Sequence, residues 1–230
     1  HTDPKSPPTR PRIPRSRARE RSPVLYYASA TTTRRNLAAF RRWGFGVMFA
    51  PSSRLSPSRW EGRYAMDNGA WTAYQRGAEF DGDSFRALAH KHGRGADFVV
   101  APDVVMGGSA SLDLSLSWLP WMLAGGLTVV IPVQNGMTCG EVARSVLLGP
   151  RVGLFIGGSS DWKEETMPMW AALSRERCCW LHVGRVNSVR RIALCKMSGA
   201  DSCDGSGPSR FSQHADVIGR ACSREALQLY

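Results

Sequence analysis

Residues 127–158 read LTVVIPVQNGMTCGEVARSVLLGPRVGLFIGG. The apolar, β-branched run over 127–133 predicts a buried strand, and the polar cluster Gln134-Asn135-Gly136 ends it. Residues 138–148 have helical spacing, and a second strand follows over 152–157, closed by Gly157-Gly158-Ser159-Ser160. Strand, polar turn, helix and strand in this order form a βα repeat, whose strands run parallel because a helix carries the chain back between them.

The same alternation extends in both directions. Further strands are predicted over 24–29, 45–50, 63–67, 97–102, 179–184 and 200–204, which makes eight. Helices near 33–43, 82–93, 111–124, 162–175, 188–198 and 211–221 join 138–148, with Thr33, Asp81 and Asp161 as N-cap candidates. This count predicts an α/β protein built as a compact (β/α)8, TIM-like barrel. A doubly wound open sheet usually announces itself with a glycine-rich phosphate turn after its first strand. Here that strand leads into Ser29-Ala30-Thr31-Thr32-Thr33, which has no glycine. Nearly every strand also ends in a polar or glycine-bearing cluster: Asp67-Asn68-Gly69, Pro102-Asp103, Gln134-Asn135-Gly136, Gly157-Gly158, Gly184-Arg185-Val186-Asn187 and Asp204-Gly205-Ser206. Barrel active sites are built from C-terminal strand ends, so these clusters are expected to converge on one mouth.

The chain has 230 residues, 43% of them hydrophobic, which excludes a wholly disordered or fibrous protein and suits one core. Its formal net charge is +11. Residues 1–22 carry seven basic and two acidic side chains with five prolines and almost nothing apolar, so they are expected to be a disordered basic arm. Residues 23–230 form the barrel domain and remain basic, which favours polyanionic partners. The six cysteines contain no Cys-x-x-Cys pair, so reduced, buried thiols are expected rather than a disulfide framework or zinc site. His90 and His92 lack zinc spacing as well, and no metal is assigned. No apolar run reaches membrane-spanning length, and the arginine-rich start does not look like a secretory leader, so a soluble, cytoplasmic protein with no membrane partner is expected. The first residue is His1 and not methionine, which suits a start inside a longer reading frame, with an organellar transit peptide as the weaker account of the arm.

Three carboxylates, Asp67, Asp103 and Asp204, fall at strand ends. Each alone is more often a turn or N-cap aspartate. Three at matching positions point to glycosidic chemistry, in which one carboxylate attacks or stabilises the anomeric carbon and another moves protons. Gln134 both donates and accepts hydrogen bonds, as reading a nucleobase edge requires. The backbone at Gly157-Gly158 can approach a flat ligand without side-chain obstruction. Arg185 and Asn187 are candidates for a phosphate or ligand edge, and Trp71 is placed near the mouth. His182 alternates with apolar neighbours and reads as a satisfied interior histidine rather than a ligand.

Taken in order, these clusters resemble the tRNA-guanine transglycosylase superfamily, and more closely its deazapurine-in-DNA branch, the DNA-guanine transglycosylases. Asp67-Asn68-Gly69-Ala70 resembles the family's Asp-Ser-Gly-Gly segment with the general acid/base, and Pro102-Asp103 its purine-recognising aspartate. Val133-Gln134-Asn135-Gly136 resembles its Val-Gln-Gly-Gly segment, and Ile156-Gly157-Gly158 the glycine turn whose amides meet the base. Gly199-Ala200-Asp201-Ser202-Cys203-Asp204 resembles the Gly-x-Asp-x-x-Asp segment, which gives Asp204 the role of nucleophile and Asp201 a supporting one. The run from His182 to Ser188 and the ending Ser202-x-Asp204-Gly205 look like the DNA-modifying branch. The zinc-binding Cys-x-Cys-x-x-Cys…His segment of the tRNA enzymes has no counterpart in the residues after Asp204.

The resemblance implies that Asp204 displaces guanine through a covalent sugar–enzyme intermediate and that a 7-deazaguanine such as preQ0 then enters, with Asp67 handling the proton. It further implies that Asn68, Gly69, Asp103, Gln134, Gly157, Gly158, Gly184, Arg185 and Asp201 bind substrate, and that no cofactor is needed. The partners expected are a nucleic acid, DNA favoured over tRNA, the deazaguanine base, and proteins of a modification system. The alternatives are a relative acting on RNA, another barrel glycosidase, and an inactive relative that only binds nucleic acid.

Overall fold

The computed structural model describes residues 23–223. The arm expected over residues 1–22 lies outside the described residues. Eight parallel strands close into a barrel in chain order, so the expected (β/α)8 architecture is the one observed. They are β1 (Leu25–Ser29), β2 (Gly46–Phe49), β3 (Tyr64–Met66), β4 (Val99–Val100), β5 (Val129–Val133), β6 (Val152–Ile156), β7 (Leu181–Val183) and β8 (Ser202–Gly205). The helices are α1 (Arg34–Trp43), α2 (Ala70–Gln75), α3 (Gly82–His92), α4 (Ser109–Ala124), α5 (Cys139–Ser145), α6 (Ser160–Glu176), α7 (Val189–Ser198), α8 (Gly207–Arg210) and α9 (Ser212–Cys222).

Every predicted strand is present, although β4 keeps only two residues of the run 97–102. The β2–β3 connection holds a short 3-10 turn at Pro57–Arg59 in place of a helix, as its proline and serine content dictates. The short helices α2 and α8 were not expected. Asp81 caps α3 by accepting from the Ser84 N–H at 2.9 Å. Thr33 is at the N-cap of α1, but its side chain makes no capping bond. Asp161 is not a cap: Ser159 caps α6, which starts two residues earlier than expected, and Asp161 sits in its first turn where the helix dipole favours a carboxylate.

Two cores follow from the alternation of side chains along each strand. Val47, Val99, Val129, Ile131, Leu154, Leu181, Val183 and Cys203 face outward and pack under the helices. Tyr27, Met48, Ala65, Phe98, Val100 and Val130 face inward, with Phe155 and Trp180 against them. Asp97 draws the Tyr27 hydroxyl to 2.8 Å and holds Arg63 through two hydrogen bonds, which closes the interior at the N-terminal end of the strands. On the outside, α9 completes the helical ring by packing on α1, where Trp43 lies over Gly219 and donates to Asp216 at 2.7 Å.

All six cysteines are free; Cys179, Cys195, Cys203 and Cys222 are buried, as expected. Cys178 is exposed and Cys139 half-buried, because the former lies in the turn after α6 and the latter at the first position of α5. Among the described residues no helix is long and apolar enough to cross a membrane.

Gly153 of β6 leaves the space that Trp180 fills: a Cβ there would meet the Trp180 carbonyl oxygen at 2.4 Å. Backbone cannot yield as a side-chain tip can, so Gly153→Ala is expected to destabilise the barrel by about 1–3 kcal/mol, read from the urea midpoint.

Candidate active site

The mouth is built from residues that continue the inward-facing parity of the strands. Asp67 lies two positions beyond Ala65, Gly157 two beyond Phe155, Gly184 two beyond His182, and Asp204 two beyond Ser202, while Gln134 lies four beyond Val130. Because residues two apart share a face of a strand, one register brings all five to the C-terminal rim.

Asp67 leaves β3 with its N–H bonded to Phe49 O at 2.7 Å, and its Oδ2 accepts the N–H of Gly69 at 3.3 Å. Gly69 has φ of +85°, a conformation that glycine adopts without strain. Asn68 is buried and acts as a bracket: its Nδ2 donates to Ala101 O and to Asp103 Oδ1, each at 2.7 Å, and its Oδ1 accepts from Ala70 N at 2.8 Å. Gln134 is also buried and donates from Nε2 to Val104 O at 2.8 Å. The β3, β4 and β5 ends are thereby joined by two side-chain amides.

On the opposite side, Asp204 Oδ1 accepts the backbone N–H of Arg185 at 3.1 Å and faces His182 Nε2 at 3.0 Å. Arg185 reaches that position through a left-handed backbone, φ +58°, which is uncommon for a residue with a Cβ. Three contacts hold it there. Lys163 of α6, itself buried, donates from Nζ to Gly184 O at 2.6 Å. The Arg185 guanidinium donates to Gly158 O and lies 4.3 Å from the centre of the Trp71 ring. Gly184 has no room for a side chain, because a Cβ would stand 2.6 Å from the Phe155 ring.

The electrostatics separate the groups. Burial, then the charges of Asp204 and Asp103, push the Asp67 carboxyl up to about 7. Burial also raises Asp103, against the opposing hydrogen bond from Asn68. Lys163 is lowered to about 8, first by burial and then by Arg185, with Asp204 opposing. Burial lowers Arg185 as well.

Nine of the candidate residues therefore meet at the mouth with Asp204 and Asp67: Asn68, Gly69, Asp103, Gln134, Gly157, Gly158, Gly184 and Arg185, together with Trp71. Asp201 does not. It precedes β8, and its Oδ2 accepts the N–H of Leu181 at 2.8 Å, tying the entry of β8 to that of β7 at the far end of the barrel. The Gly157 N–H is not available to a ligand either, because it extends the ladder to Val133 O at 2.8 Å. Asn187 Oδ1 is engaged by the N–H of Gly207 at 2.9 Å. His182 is fully buried, as expected of an interior histidine, yet it also touches Asp204. Lys163 was missed; the available signal was a lysine on the face of α6 that also carries Thr166, Met167 and Trp170, all buried.

No family model matches the chain, and no curated protein matches it.

A raised carboxyl binds more protons in the folded than in the unfolded chain across the interval between the two values. Its contribution to stability is complete in acid and is lost as pH rises through about 7. Asp67→Asn removes that loss. The variant is expected to be more stable than wild type by a margin that grows from pH 5 to 7, at no more than about 1.4 kcal/mol per pH unit, and then levels off. Urea unfolding at pH 5, 6, 7 and 8 reads this directly, and a margin independent of pH would show that Asp67 is not raised.

Proposed function

We propose that the protein is a base-exchanging transglycosylase that replaces guanine in a nucleic acid, DNA in preference to tRNA, with a 7-deazaguanine. The observation that carries the reading is the unequal treatment of two carboxylates at one mouth. Burial, and then the like charges beside it, push the Asp67 carboxyl up to about 7, while Asp204 accepts from the Arg185 amide and faces the His182 imidazole. Acid/base and nucleophilic roles require such a difference. The order of strand-end motifs, with their resemblance to the guanine transglycosylases, supplies the substrate class.

In this reading an oxygen of Asp204 forms a bond to C1′ as the C1′–N9 bond to guanine breaks. The electron pair leaves with the purine, and Asp67 in its acid form donates the proton that neutralises it. The incoming deazaguanine returns a proton to Asp67, its N9 attacks C1′, and the ester to Asp204 breaks. Both half-reactions balance with these two carboxylates alone. In this reading Asp103, Gln134 and Gly158 recognise the base, as the resemblance implies, and Trp71 with Arg185 forms the rim. A base within a duplex must leave the stack to reach this mouth. The basic surface supports phosphate binding that weakens with salt.

The test is incubation with duplex DNA carrying labelled guanine, and separately with tRNA, in the presence of preQ0. Release of label and incorporation of preQ0 are expected with DNA, and Asp204→Ala is expected to abolish both. Guanine release should fall above about pH 7, as Asp67 loses the proton it must donate. Absence of exchange on either nucleic acid would overturn the reading, and exchange by Asp204→Ala would overturn the nucleophile.

A further inference from the structure

Behind Asp204 lies a row of polar side chains that the exchange chemistry does not itself employ. Trp180 Nε1 is 2.8 Å from Ser202 Oγ, Ser202 Oγ is 2.8 Å from His182 Nδ1, and His182 Nε2 is 3.0 Å from Asp204 Oδ1. Ser202 and His182 are fully buried. The imidazole is caged by rings: Phe155 stacks on it at 5.0 Å, and Phe98 and Tyr27 meet it at 4.9 and 6.0 Å. Its plane and both nitrogens are therefore held in place.

The chemistry of the two ends gives the row a direction. An indole N–H only donates, so Ser202 Oγ accepts from Trp180. Among the described residues the one remaining partner of the Ser202 hydroxyl is His182 Nδ1, to which it donates. Asp204 Oδ1 already accepts from the N–H of Arg185, so the contact with His182 requires a hydrogen on Nε2. The opposite tautomer would leave the hydroxyl hydrogen without an acceptor among the described residues and set two acceptors against each other, at a histidine and a serine that are both fully buried.

We propose that Trp180, Ser202 and His182 form a one-way hydrogen-bond relay that locks His182 in its Nε2–H tautomer and so orients Asp204. Oδ1 takes two donors, and Oδ2, which has no donor among the described residues, is presented to the mouth as the attacking oxygen. These three are positioning residues, since they act through Asp204. The tautomer stands on geometry alone, whereas the use of Oδ2 as attacking atom rests on the transglycosylase reading.

The relay is tested first without substrate, by long-range nitrogen–proton NMR of the histidine ring in the full chain. Wild type is expected to show Nε2–H, and Ser202→Ala a mixture of tautomers. Wild type with Nδ1–H, or a ring unmoved by Ser202→Ala, overturns the proposal. The second readout is the rate of the covalent sugar–enzyme ester in a single turnover. His182→Leu is expected to slow it by about 10²-fold with KM little changed, as loss of a donor to a charged acceptor implies. His182→Gln, which carries an N–H near the Nε2 position, should recover to within about tenfold of wild type. Equal loss in both variants overturns the positioning role. Failure of wild type to exchange bases while its ring shows Nε2–H overturns the transglycosylase reading and supports the relay.

Discussion

Closure of the barrel through β8 is the constraint on which the rest depends. This four-residue strand pairs with two neighbours at once, Ser202 standing opposite Leu25 of β1 and opposite His182 of β7. A slip of one residue would turn Cys203, now packed under the helices, into the barrel and send Asp204 outward. The pairing that closes the sheet therefore also aims the carboxylate. Arg185 and His182 reach Asp204 only because β7 and β8 share that register.

The mouth is costly to assemble. Three carboxylates converge there; burial raises both Asp67 and Asp103, and the charges of Asp204 and Asp103 raise Asp67 further. Lys163 and Arg185 offset part of this charge while being disfavoured by burial themselves. Such an arrangement is unlike a structural ion pair, in which both partners are stabilised in their charged forms. It needs the continuous apolar core beneath it and the side-chain brackets of Asn68 and Gln134 to persist.

Much of this was legible in the residues. Strands buried on both faces appear as apolar runs, as over 127–133 and 152–156, whereas the polar segment 200–204 was placed by the alternation of the repeat; the two-residue period locates Asp67 and Asp204 at one rim. Short elements were less visible: α2 and α8 have too few turns for a helical period to emerge. Asp201 illustrates a different limit. Its spacing from Asp204 is that of a motif, but three residues along a strand span the barrel wall, and so it serves the opposite end. The amide of Gly157 could not be assigned from its type, because a glycine in a turn and a glycine closing a ladder look alike in a sequence. His182 was recognisable as interior, but its contact with Asp204 depends on cross-strand register, which no single segment encodes.

The clamp of Arg63, Asp97 and Tyr27 has a bearing on traffic through the molecule. It plugs the floor of the barrel with a charged pair and a buried ring, while the layer above it is filled by Phe98, Trp180 and His182. The barrel is thus a cup and not a tube. Whatever enters at the C-terminal rim must depart over the same lip, so two ligands that use the same seat have to take turns.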